Sequence, residues 1–399
     1  INQWEKNSIE IIRQTARQCR QTFLKAIVGF HIDIEEKFNK LIKEIKEIEE
    51  ENEVNETNLE DLKEKLREIT RKVNDSSEIF IEEDSQTFIK RISVKSTRLK
   101  PKLEKWEQNG TTICGGNGRG HKSYQLSGPE GIFIDKHQNI FIADSGNHRI
   151  VRWKRNENQG TVVAGGNGKG SRLNQLNHPT DMIFDEQTDS LIIADYGNRR
   201  VMWWFLNEDK PETFIGDIDC KRLTMDKFRC VYVSDDMEHE VRRWKMEENG
   251  RGRIFAGGYG RGDQLNQFQF PNFMFVDDEQ SIYVSDVENH RVMKWIKYAE
   301  EGIVVAGGNG RGDNLNQLNC PEGIIVDHEG RIYVADCGNH RIMRWCEGDE
   351  EGEIIVGGNR NGNEPNQLSY PRSLSFDDEG NLYVGDLEND RIEKFGLIS

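Results

Sequence analysis

The sequence is short of the features that mark membrane, disulfide-built or zinc-built chains. No run approaches 18 consecutive apolar residues, so no segment is long enough to cross a membrane as a helix. There are seven cysteines (Cys19, Cys114, Cys220, Cys230, Cys320, Cys337 and Cys346), and no two have C-x-x-C spacing. An odd count without that spacing argues against a disulfide framework or a zinc site, and fits reduced thiols in a cytoplasmic protein. Three N-x-[ST] triplets, at Asn55, Asn74 and Asn109, point the other way. There are only eight prolines, and none precedes Pro101. Apolar residues make up 35% of the chain, so part of it must be solvated rather than packed in one large core. The chain opens on Ile1 rather than Met, and an upstream segment is therefore expected.

Charge is uneven. Residues 1–100 carry 19 Lys and Arg against 21 Asp and Glu, whereas residues 101–399 carry 35 against 49. The net charge of −16 thus sits mainly in the second part. Global acidity opposes nonspecific nucleic-acid binding, although a local basic face is compatible with it.

The first part has a heptad pattern. Apolar residues recur at Ile9, Ile12, Ala16, Cys19, Phe23, Ala26 and Phe30, then at Ile34, Phe38, Leu41, Ile45 and Ile48. A third run is Leu59, Leu62, Leu66, Ile69 and Val73. Alternating steps of three and four predict an α-helical coiled coil over residues 1–75. Two readings of its middle stay open: a continuous rod with Asn52 and Asn55 in the seam, or a hairpin reversing near Glu51–Thr57. Residues 76–102 lose the pattern and read as a linker, with short extended pieces at Ile79–Ile81 and Ile92–Val94.

From Gly131 one pattern recurs six times. It reads GIFIDKHQNIFIADSGNHRIVRW at 131–153 and GIIVDHEGRIYVADCGNHRIMRW at 323–345, with a divergent copy at 223–244. The aspartates ending the second β run are Asp144, Asp195, Asp235, Asp286, Asp336 and Asp386, at spacings of 51, 40, 51, 50 and 50. Three β runs per copy, plus a fourth before a glycine-rich turn, predict a propeller blade. The last copy stops after its third strand, and Thr111–Cys114 is an orphan fourth strand. Pairing 111–114 with 391–395 would close the ring and remove its edges. The expected fold is mainly β: a six-bladed β-propeller over 103–399, preceded by the coiled coil.

The motif D-x-x-N-H-R-[IV] after a strand ending V-A-D resembles the NHL repeat. A coiled coil directly before such a propeller resembles the tripartite-motif NHL proteins. That resemblance implies a substrate-recognition role in a ubiquitin ligase, with catalysis belonging to RING and B-box zinc modules that these residues lack. It also implies RNA binding as an alternative. An amidating-lyase-like or hydrolase activity is a third reading, but the lyase needs channel histidines. His137 and His328 fall in hairpin turns instead.

The repeated residues read as framework. Each Asp pairs with the Arg five positions on: Asp144/Arg149, Asp195/Arg200, Asp286/Arg291, Asp336/Arg341 and Asp386/Arg391. The carboxylate is expected to accept N–H groups of its own turn and the guanidinium. The third copy has Glu240 at the arginine position. The turn residues His148, Arg199, His239, His290, His340 and Asp390 are too far apart for one ion, so no metal or cofactor is assigned. The glycine-rich runs at 114–120, 164–170, 256–262, 306–312 and 356–362 open no helix, so they are turns between blades rather than phosphate loops. The per-blade aromatics Trp153, Trp204, Trp244, Trp295, Trp345 and Phe395 read as packing between blades.

Residues that vary between copies are the binding candidates. The rim carries Arg119, Lys169, Arg261, Arg311 and Arg360. The residues after each blade-opening proline, Glu130, Thr180, Asn272, Glu322 and Arg372, are expected to face the central channel. The function read from these features is a non-enzymatic interaction protein. Its coiled coil self-associates, and its propeller face binds a protein or peptide.

Overall fold

The computed structural model describes Lys65, residues 79–82 and 91–94, and residues 104–398 apart from 208–209, 247–251 and 347. The chain divides into two compact units, 1–103 and 104–399. In the first unit Ile79–Glu82 pairs antiparallel with Arg91–Val94, where the two extended pieces of the linker were expected. The coiled coil expected over 1–75 lies outside the described residues, Lys65 apart.

The second unit is a ring of six four-stranded antiparallel sheets. Blade 1 is Pro129–Ile134, Ile140–Asp144, Arg149–Trp153 and Thr161–Gly165. Blade 2 is Pro179–Asp185, Ser190–Asp195, Arg200–Phe205 and Lys210–Gly216. Blade 3 is Cys220–Met225, Cys230–Asp235, Glu240–Lys245 and Arg253–Gly257. Blade 4 is Pro271–Val276, Ile282–Asp286, Arg291–Trp295 and Ile303–Gly307. Blade 5 is Pro321–Val326, Ile332–Asp336, Arg341–Trp345 and Glu353–Gly357. Blade 6 is Pro371–Phe376, Leu382–Asp386 and Arg391–Phe395, completed by Thr111–Gly115 from the start of the unit. The proline in five of these blades is the first residue of the innermost strand, where its missing N–H is tolerated. Neighbouring innermost strands touch all the way round, from blade 1 to blade 6 and back to blade 1.

Burial follows the position of a strand in its blade. The second strands are buried at every residue, since blades cover both faces of each sheet; hence their unbroken apolar runs such as IYVAD. The cores lie between blades. Trp345 of blade 5 packs with Phe273, Tyr283 and Val292 of blade 4, and Trp153 of blade 1 with Tyr383 and Ile392 of blade 6. All six cysteines among the described residues are free thiols.

A second seam reinforces the ring closure. Lys105–Trp106 pairs antiparallel with Leu397–Ile398. The Trp106 ring is 2% exposed, stacked on Phe376 at 5.8 Å and edge-on to Tyr333 at 5.8 Å. Its Nε1–H donates to the Gly380 carbonyl at 2.9 Å. Trp106 therefore fills the joint between blades 5 and 6. Trp106→Ala is expected to destabilise the propeller by about 3–5 kcal/mol, the cost of truncating a buried aromatic. Urea unfolding followed by tryptophan fluorescence checks this, and a loss below ~1 kcal/mol would remove the seam from the closure.

Candidate binding face at the channel mouth

The second strand of each blade ends on its aspartate, at the rim where the innermost strand begins. Asp144, Asp195, Asp286, Asp336 and Asp386 are each 0% exposed. A dry carboxylate needs several donors. In blade 1, Oδ2 of Asp144 accepts from Arg149 Nε at 2.7 Å and from Asn147 Nδ2 at 2.8 Å. Its Oδ1 accepts the Ser127 N–H at 2.7 Å. The same three bonds recur at Asp195, Asp286, Asp336 and Asp386.

One detail differs from the sequence expectation. The backbone N–H comes from the glycine-rich loop leading into the blade, not from the aspartate's own turn. The arginine holds the same loop. Arg149 Nη1 and Nη2 donate to the carbonyls of His121, Lys122 and Gln125 at 2.9–3.2 Å. Blade 3 explains the exception at Glu240. Only Asp217–Asp219 separate blade 2 from blade 3, so there is no long loop for an arginine to hold. Asp235 accepts from Met237 and Glu238 of its own turn instead.

The residue before that arginine bridges to the next blade. His148, Arg199, His239, His290, His340 and Asp390 all have φ between 48° and 56°, in the left-handed region. Nδ1 of His148, His239, His290 and His340 accepts the N–H of His178, Phe270, Cys320 and Tyr370 respectively, at 3.1–3.4 Å. Each donor is the residue just before the next blade. Asp390 does the same for Gly128 at 2.7 Å, and Arg199 forms an ion pair with Asp219 at 3.0 Å. These six side chains are therefore stitches between blades. Among the described residues no group of three or more His, Cys, Asp or Glu side chains is placed to hold a metal ion.

At the second position of each innermost strand stand Glu130, Thr180, Lys221, Asn272, Glu322 and Arg372. They join in one network with Arg222, whose side chain is 0% exposed. Arg222 Nη2 meets Glu130 Oε2 at 2.5 Å and its Nε donates to Asn272 Oδ1 at 3.1 Å. Its Nη1 donates to the Thr180 carbonyl, and its guanidinium lies 3.8 Å over the Phe273 ring. Asn272 Nδ2 donates to Glu322 Oε2 at 2.6 Å, and Arg372 Nη1 to Glu322 Oε1 at 2.9 Å. Arg372 Nη1 also lies 3.8 Å from Glu130 Oε2. The circuit Glu130–Arg222–Asn272–Glu322–Arg372 thus returns to its start. Thr180 joins it through its Oγ1–H, which donates to the Lys221 carbonyl at 2.7 Å.

Electrostatics at the mouth follow from this packing. Burial pushes the Glu130 carboxyl up, but the Arg372, Arg222 and Lys221 charges outweigh it and hold it at about 2. Burial wins at Glu322, which is raised despite Arg372 and Arg222. Asp181, one residue deeper, is pushed by burial to about 6. Lys221 is pushed down, by burial first.

Sequence reasoning reached five mouth positions through the proline before them. It missed Lys221 and Arg222 because blade 3 has Cys220 where the others have proline. Counting back from Asp235 by the Pro129-to-Asp144 interval lands on Cys220 and would have found them. The rim cations Arg119, Lys169, Arg261, Arg311 and Arg360 are all exposed. Arg119 lies 3.7 Å from Asp390, and Arg261 lies 5.3 Å over the Phe270 ring. Lys169, Arg311 and Arg360 have no ion-pair partner among the described residues.

Two outcomes are expected. Arg341→Ala leaves Asp336 dry and short of a donor, and should cost about 3–5 kcal/mol in urea unfolding. The second concerns the stitching imidazoles. Burial depresses His148, His239, His290 and His340 below the ordinary 6.5. A depressed folded pKa means the fold favours the neutral ring. Its contribution is then fully present above about 6.5 and is lost as pH falls through the depressed value. Imidazole titration by NMR should give midpoints below 6.5 with the proton on Nε2; midpoints above 6.5 would contradict the stitch.

A profile of the NHL repeat matches residues 126–153 and 318–344. No curated protein sequence matches the chain. Among solved structures, an auxiliary nutrient binding protein from Bacteroides thetaiotaomicron is similar, at 14% identity and a TM-score of 0.58 over 80% of this chain and 83% of that one. A protein of unknown function from the same organism has 15% identity and a TM-score of 0.56, over 77% and 80%. A gluconolactonase from Xanthomonas campestris has 15% identity and a TM-score of 0.51, over 69% and 88%. At such identities these likenesses bear on fold alone. The chain thus carries NHL repeats at residues 126–153 and 318–344, within a closed six-bladed β-propeller.

Proposed function

We propose that the chain is a non-enzymatic interaction protein whose propeller presents the channel mouth and its rim to a protein or peptide partner. One observation carries this reading. At a single strand position the six blades place five residue types, Glu130, Thr180, Lys221, Asn272, Glu322 and Arg372, while the residues around them do repeat. A scaffold held constant with one variable ring is the arrangement that selective recognition requires. The uncommitted cations Lys169, Arg311 and Arg360 stand on the same rim. Self-association through the heptads of residues 1–75 would couple several such faces and raise avidity without new contacts. In a longer chain with upstream zinc modules, the propeller would be the substrate-recognition part of a ubiquitin ligase.

The test is affinity capture with the full chain, with bound proteins identified by mass spectrometry. The charge-reversal variant K169E/R311E/R360E should lose a defined subset of partners by about tenfold, on the scale of one or two lost charged hydrogen bonds. Unchanged recovery of every partner would remove the rim from the interface. The rim cations also admit RNA as a second reading. Binding of single-stranded RNA that weakens steeply with salt, and is abolished by the same variant, would replace the protein partner with RNA.

A further inference from the structure

The mouth network is complete for its carboxylates and incomplete for its cations. Glu130 is engaged by Arg222 and Arg372, and Glu322 by Asn272 and Arg372. Lys221 stands in the same ring, yet its ammonium has no carboxylate within 4.0 Å among the described residues. It lies instead 4.4 Å over the ring of Tyr196. The Tyr196 hydroxyl donates to Asp236 at 3.4 Å. Arg372 has likewise spent one nitrogen on Glu322, while its buried Nε has no hydrogen-bond partner. Its side chain is 23% exposed. Two cations on different innermost strands thus retain donors, in a ring where each glutamate is already bound.

An ammonium with three donors and no acceptor, half-withdrawn from water, is a costly arrangement for an isolated fold. It is relieved by an incoming anion with two oxygens. The aromatic floor of Tyr196 holds the ammonium by cation–π attraction without consuming any of its N–H groups. That leaves Lys221 positioned but unspent.

We propose that the channel mouth is an anion pocket in which the Lys221 ammonium and the Arg372 guanidinium receive one carboxylate from an acidic side chain of a protein partner. This rests on the reading of the mouth and rim as the binding face, and it gives that face a chemistry. Glu130 and Glu322 flank the pocket and restrict it to a single anion, since a second would meet them at close range. An isolated Asp or Glu on an extended segment fits that limit, whereas a polyphosphate backbone brings several charges at once. The rim cations Lys169, Arg311 and Arg360 would then meet acidic residues further along the same segment.

The test labels lysines of the full chain with an amine-acetylating reagent and reads each site by peptide mass spectrometry. The probes are a capped oligoglutamate peptide, its oligoglutamine analogue, a capped phosphoserine peptide and a single-stranded RNA. Oligoglutamate is expected to slow acetylation at Lys221 while leaving the exposed Lys154 unchanged, and oligoglutamine is expected to do neither. K221Q should weaken fluorescent oligoglutamate binding about tenfold, the scale of one charge-assisted hydrogen bond, without lowering the melting temperature. Absence of protection, equal protection by oligoglutamine, or protection by the phosphoserine peptide or RNA alone would overturn the carboxylate assignment. Full oligoglutamate binding by K221Q, with loss in K169E/R311E/R360E, would sink the pocket and leave the rim reading standing. Protein partners lost from neither variant in the capture experiment would sink both.

Discussion

A carboxylate with no solvent exposure is the constraint on which this propeller rests. Five blades bury one at the end of the second strand, and each is tolerable only because an arginine, an asparagine and a loop N–H converge on it. The arginine then spends its remaining donors on carbonyls of the same loop. Satisfying one buried charge therefore fixes the path of a long glycine-rich segment, and through it the place of Arg119, Lys169, Arg261, Arg311 and Arg360. Where the loop shortens to Asp217–Asp219 the arginine gives way to Glu240. Loop and guanidinium come and go together, as expected of parts with one purpose.

Repetition made the framework legible in the sequence. Six aspartates at near-constant spacing disclosed the blades, and the unmatched strands at the two ends disclosed the closure seen between Thr111–Gly115 and Arg391–Phe395. What stayed hidden was of two kinds. The stitches between blades depend on a left-handed residue aiming its side chain at the following blade, which no pattern within one repeat reveals. The mouth circuit depends on reach across the channel. Arg222 of blade 3 touches groups on blades 1, 2 and 4, separated from it in sequence by 92, 42 and 50 residues. It also lies in the copy that lost its proline, so a search keyed to that proline passes over it.

The framework and the mouth obey opposite rules. Buried Asp–Arg pairs are equivalent from blade to blade, and their equivalence makes the ring regular. The mouth residues vary, Glu130 and Glu322 alone being alike, and their bonds join five blades in a circuit only because their charges and lengths differ. A regular ring thus supplies an irregular centre with a rigid frame, in which a side chain such as Lys221 can be held in place by an aromatic face without a direct ion pair.

The closing seam has a mechanical consequence. Thr111 pairs with Lys394 and Gly115 with Arg391, so the chain enters and leaves at the same end of the joined strands. Trp106 opposite Leu397 continues that geometry outward. A pull applied between the two ends would load these bonds one after another, like a zipper, rather than all at once. Under tension the ring would part first at the joint that completes it.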